Sequence, residues 1–127
     1  MLTYQHQCRF VILVLCSLIS GIFCVQIQPN FEVIPIWTTD RKFITCSRDR
    51  KEFEGRVQWF APSGDPVGVS PLSTVYQVEG VGSSKLFFVQ PYKVNQGFYE
   101  CRHTKNDTLV TFDKIEMKIY NAIDMSG

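Results

Sequence analysis

The chain has 127 residues, 45% of them hydrophobic, with 13 basic and 12 acidic side chains and a formal net charge of +1. That length holds one domain of ordinary size, and a 20% charged fraction with ten Phe, five Tyr and two Trp excludes a disordered tail. Near-neutrality excludes a basic field for nucleic acid, and the two histidines, His6 and His103, lie too far apart in the chain to suggest a His-centred metal site or catalytic dyad.

In chain order, the first feature is an uncharged apolar run from Phe10 to Val25, preceded by Arg9 and the polar stretch Met1 to Gln7. At ~1.5 Å per residue it reaches about 24 Å, short of the ~30 Å hydrocarbon core. This is the layout of a secretory signal peptide over residues 1–24, with cleavage after Cys24 and a mature start at Val25. A retained signal anchor is the alternative reading. No second apolar run of membrane length follows, so the mature chain is expected to be extracellular with no membrane span, either secreted or held at a cell surface by something the sequence does not show. Cys8, Cys16 and Cys24 fall inside the leader, which leaves Cys46 and Cys101. In the oxidising secretory pathway one remaining pair means one disulfide. The two positions are 55 apart, a loop whose closure stabilises by roughly 4 kcal/mol in the chain-entropy model. Without Arg9 the mature chain has 12 basic and 12 acidic residues, which disfavours polyanions and acidic lipid as partners.

Beyond Val25 the period is two. Short runs rich in Val, Ile, Phe, Tyr and Thr are separated by Gly, Pro, Ser, Asn and Asp at intervals of about ten residues, which reads as an all-β sandwich or barrel. Strands are expected near Val33–Trp37, Lys42–Ser47, Val57–Ala61, Pro66–Val69, Thr74–Val78, Lys85–Gln90, Gly97–Thr104 and Leu109–Tyr120. Pro62-Ser63-Gly64-Asp65 is a turn, Gly80-Val81-Gly82-Ser83-Ser84 separates the next pair, and Lys105-Asn106-Asp107 closes a tight hairpin. The basic residues Arg48, Arg50 and Lys51 interleave with Asp49, Glu52 and Glu54, as in a solvated loop. Residues 25–120 form the domain and 121–127 a short tail or the start of a linker.

Alternation assigns faces. Ile44 and Cys46 share one; so do Val57, Trp59 and Ala61; so do Leu86 and Phe88; so do Tyr99, Cys101 and His103. The bonded cysteines must face each other, so these are the inner faces, and His103 is expected inside as a structural side chain. Gln58, Phe60, Phe98, Glu100, Arg102, Glu116 and Lys118 then fall outside. Exposed aromatics with a mixed charged rim are a candidate binding face; a neighbour covering one of the rings is the plainer reading.

Cys46, Trp59 and Cys101 occur with Gly97 four before and Tyr99 two before the second cysteine. Trp59 supplies the large apolar surface beside an inter-sheet disulfide, Gly97 permits a sharp entry into the strand, and the Tyr99 hydroxyl bonds back to the turn. With these residues in register, the chain is identified as an immunoglobulin-like sandwich of two antiparallel sheets with one inter-sheet disulfide. The mature segment resembles an intermediate-set immunoglobulin domain. Val57 to Val67 (VQWFAPSGDPV) and Ile115 to Tyr120 (IEMKIY) are similar to the first immunoglobulin domain of neural cell adhesion molecules and insect fasciclin II. That resemblance implies cell-surface adhesion, often homophilic. The chain departs from the family at Asn95, where Asp is usual, and in Ser73-Thr74-Val75-Tyr76, which lacks the partner Arg; Asn95 must cap its turn by neutral hydrogen bonds. The family's further domains and membrane attachment are not present before Gly127, so a short isoform, a fragment and a small secreted protein are all open readings.

Asn106-Asp107-Thr108 is a glycosylation sequon on a hairpin tip. No nucleophile with a base, paired carboxylates or acidic calcium cluster is found, so no catalytic residue, metal or cofactor is expected and the chain is read as no enzyme. The expected function is protein binding in cell adhesion and cell–cell recognition, neuronal by the family resemblance. The partner would be a related immunoglobulin-domain protein or a second copy. A soluble modulator of a membrane-bound relative and an immune-type recognition domain are the alternatives.

Overall fold

Period-two alternation gives each strand one apolar and one polar face, and two such sheets bury their apolar faces only against each other. The computed structural model describes residues 25–48 and 55–121. The leader, residues 49–54 of the charged loop (Asp49, Arg50, Lys51, Glu52 and Glu54 among them) and the tail beyond Asn121 lie outside the described residues. Eight strands form two four-stranded sheets. Sheet I has the order β1 (Gln26–Gln28), β3 (Arg41–Ser47), β6 (Ser83–Val89), β5 (Val75–Gly80). Sheet II has the order β2 (Val33–Trp37), β8 (Thr108–Tyr120), β7 (Gly97–Lys105), β4 (Arg56–Phe60).

Every pairing is antiparallel except one. β2 runs parallel to β8, from Val33 opposite Glu116 to Trp37 opposite Tyr120, which corrects the expectation of purely antiparallel sheets. The chain leaves sheet I after β1, passes the cis Gln28–Pro29 bond and enters the other sheet beside β8. β1 is three residues long and polar outside Ile27, too short to register as a strand by pattern. The expected strand at Pro66–Val69 does not form. Pro66 has no N–H to donate, and the segment makes a single bridge, Phe60 to Pro66, with the Val67 N–H reaching the Trp59 carbonyl at 3.0 Å. Ser83 and Ser84 belong to β6, so the β5–β6 turn is only Val81-Gly82. A single 3-10 turn, Lys93–Asn95, leads into β7. Among the described residues no helix is long and apolar enough to cross a membrane.

The core lies between the sheets. Ile36, Ile44, Cys46, Trp59, Leu86, Phe88, Cys101, Met117 and Ile119 are fully enclosed. The Cys46 and Cys101 sulfurs are joined, with Cα atoms 6.5 Å apart, and tie β3 of sheet I to β7 of sheet II.

Candidate functional site

Trp59 lies wholly inside, its indole N–H donating to the Ser84 carbonyl at 3.0 Å. Burying a side chain of this size stabilises by about 2–3 kcal/mol. Tyr99 is 2% exposed, packs edge-on against Phe88, and donates its hydroxyl to the Asn95 carbonyl at 2.5 Å. Burial pushes its phenol up to about 12. Asn95 caps the 3-10 turn with neutral bonds alone: its side-chain oxygen accepts the Tyr92 N–H at 2.7 Å, and its own N–H reaches the Tyr92 carbonyl at 2.8 Å. Gly97 has φ +143°, and a Cβ there would lie 2.8 Å from the Pro62 ring; both conformation and space demand glycine. His103 points inward and is 1% exposed.

Gln77 was not singled out by the sequence, yet it is completely buried. Its amide oxygen accepts the Trp59 N–H at 2.8 Å and the Ser84 hydroxyl at 3.0 Å. Its amide nitrogen donates to the carbonyls of Val67 at 2.7 Å and Trp59 at 3.1 Å. One side chain from sheet I therefore satisfies the open edge of β4 in sheet II, where the unformed Pro66–Val69 strand would have paired. Arg56 and Glu79 reinforce this junction with two contacts of 2.8 Å.

The seven residues of the candidate face share the outer side of sheet II. Gln58 stands opposite Arg102, Phe60 opposite Glu100, and Phe98 opposite Glu116. They are not equivalent. The Arg102 guanidinium lies 3.9 Å from the Phe60 ring centroid and half-buries it. Arg102 also contacts Glu100 at 2.7 Å, and Lys114 approaches the other Glu100 oxygen at 4.0 Å. The plainer reading thus holds for Phe60, which is covered. Phe98 is 57% exposed. Beyond Glu116 in the same row lies Val33 of β2, 42% exposed, and Lys118 stands beside Pro35. Val33 and Pro35 were missed because the sequence does not reveal the parallel docking of β2; Lys114, opposite Glu100 and in phase with Glu116 and Lys118 on β8, was within reach of the alternation pattern but was not singled out.

At the far hairpin Asn106 and Asp107 adopt φ of 52° and 62° between paired Lys105 and Thr108. This is a two-residue turn of the type that matches strand twist, and all three sequon residues are exposed. No group of three His, Cys, Asp or Glu side chains that could hold a metal occurs among the described residues.

The sequence matches no family model and no curated protein. The structure has many likenesses. The M1 domain of titin superposes with a TM-score of 0.58 at 14% identity, covering 78% of this chain and 95% of that one. The first Ig domain of mouse SynCAM 2 gives 0.57 at 13% identity, covering 70% and 91%. A chain from the titin M10–obscurin-like 1 Ig complex gives 0.59 at 10% identity, covering 78% and 96%. The fold is that of an immunoglobulin domain. Identity this low carries the fold alone. Within this immunoglobulin-like fold, the disulfide joins the two sheets, and Trp59 and Tyr99 are buried with it in the core.

Proposed function

We propose that this immunoglobulin domain is an extracellular recognition module that binds a protein partner through the outer face of sheet II, in cell adhesion and cell–cell recognition. The observation that carries the reading is Phe98: a large ring held more than half in solvent on a rigid, disulfide-tied sheet. Aromatic anchors surrounded by weakly contributing polar contacts are the usual source of interface energy. The rim supports a protein partner over a highly charged one, because Glu100 and Glu116 offset most of Arg102, Lys114 and Lys118. A neighbour in fold is a chain from the complex of titin M10 with obscurin-like 1 Ig, which supports a protein partner. The likeness of Val57 to Val67 and Ile115 to Tyr120 to neural cell adhesion molecules and fasciclin II supports a neuronal setting and a related or identical partner. The leader, the disulfide and the exposed sequon support a secreted glycoprotein modified at Asn106.

The test is staining of live cells that display a neural cell adhesion molecule or fasciclin II, against the parent cells. The tagged chain is expected to bind the displaying cells and Phe98→Asp to abolish binding. Equal staining of both cell types, or an unaltered Phe98→Asp, refutes this function. Mass spectrometry of the culture medium is expected to find a chain beginning at Val25 with a glycan on Asn106; a chain found only inside cells refutes secretion.

A further inference from the structure

Phe43 on β3, Phe87 on β6 and Tyr76 on β5 occupy opposed registers, so they form one row across the outer face of sheet I. Phe43 and Phe87 have centroids 5.5 Å apart, and Phe87 and Tyr76 stack at 4.9 Å with 6° between planes. Such cross-strand pairs stabilise a sheet, but that role does not require solvent. Here Phe43 remains 51% exposed, and Val78, in the next row opposite Lys85, is 50% exposed.

Among the described residues, the charge on this strip has one sign. The outward positions of the four strands carry Arg41 and Lys85 and no carboxylate. Lys85 places its ammonium 5.2 Å from the Phe43 ring centroid. The flanking acids are engaged elsewhere: Asp40 accepts the Trp37 N–H, and Glu79 clasps Arg56.

We propose that the outer face of sheet I is a second docking surface, and that its occupant is an apolar patch with an acidic rim on a different protein. Charge complementarity selects that occupant. A second copy apposed through this face would set Arg41 and Lys85 against their own kind. Sheet II does not supply the complement either, since its outward Arg102, Lys114 and Lys118 exceed Glu100 and Glu116. A lipid surface is disfavoured because two cations fall well short of the basic clusters of about 4–8 that hold anionic membranes. The surface lies on the opposite side of the sandwich from Phe98, so it stands or falls separately from the proposed function.

The experiment selects a random peptide display library on the immobilised full chain. Enriched peptides are expected to set Asp or Glu beside Phe, Tyr, Trp or Leu. A synthesised winner should bind about tenfold more weakly to the double variant R41E and K85E, and more weakly in 0.5 M salt. Binding should stay within about twofold for F98D and for K114E with K118E, which lie on the other sheet. Absence of acidic enrichment, equal sensitivity to the sheet II variants, or binding to phosphatidylserine vesicles in place of peptide overturns the proposal.

Discussion

The buried phenol of Tyr99 makes the stability of this domain fall in alkali by an amount that can be worked out. Below pH 10 the ring is protonated whether the chain is folded or not. Above it the unfolded chain, with its tyrosine at the ordinary value of 10.0, gives up the proton, while the folded chain holds it until about 12. The unfolded state then binds fewer protons, so stability drops as pH rises. At pH 11, one unit above the first value and one below the second, the loss is about 1.4 kcal/mol. Tyr99→Phe removes this titration together with the hydrogen bond to the Asn95 carbonyl, which is worth about 1 kcal/mol net. The wild type is therefore expected to exceed Y99F by about 1 kcal/mol at pH 8 and to lose that lead by pH 11. Urea denaturation of both proteins, followed by Trp59 fluorescence at four pH values between 8 and 11, measures the gap. Titration of the remaining tyrosines and lysines cancels in the difference. A gap that stays constant over that range refutes the argument.

Gln77→Leu keeps the volume but strands the Trp59 N–H, the Val67 carbonyl and the Ser84 hydroxyl; a loss of about 4 kcal/mol is expected in chemical denaturation, against less than about 0.5 for the exposed Gln26→Leu. Replacing Cys46 and Cys101 together with Ala removes a cross-link between residues 55 apart, and the denaturation midpoint should fall by the equivalent of roughly 4 kcal/mol. β2 is an edge strand whose outward groups are closed off: Pro35 has no N–H, its carbonyl accepts Lys42 Nζ at 3.0 Å, and the Trp37 N–H is taken by Asp40 at 3.3 Å. Pro35→Val with Lys42→Ala reopens that edge, and light scattering should then show concentration-dependent association in excess of the wild type's.

The pattern of the sequence made most of the fold legible because the strongest signals are also the most buried. Cys46, Trp59, Tyr99 and Cys101 are each 2% exposed or less, and alternation placed them, with His103, on inner faces. The misreadings arise where partners are distant in sequence. Nothing local in Gln26-Ile27-Gln28 announces a strand, because that pairing depends on Thr45 to Ser47. Nothing local marks Gln77 for the core either; it is buried because its amide supplies the donors and acceptors that the open edge of β4 needs. Phe60 follows the same logic. Its outward position was legible, but its cover by Arg102 depends on the pairing of β4 with β7.

The two outer faces therefore differ in how their charge is used. On sheet II Glu100 is held between Arg102 and Lys114, and Arg102 in turn covers Phe60. Side chains already fixed against one another lose little further freedom when a partner arrives, but they also have little unmet charge to offer it. The affinity proposed for that side would then come from apolar contact, which Phe98 and Val33 offer on the described surface. On sheet I the aromatic row is stacked internally while Arg41 and Lys85 have no outward carboxylate beside them. There the charge is available to choose the partner and the stacked rings supply a rigid floor. If both faces bind as proposed, one selecting by shape and the other by charge, the domain could hold two different proteins at once, since the core between the sheets keeps the surfaces from competing.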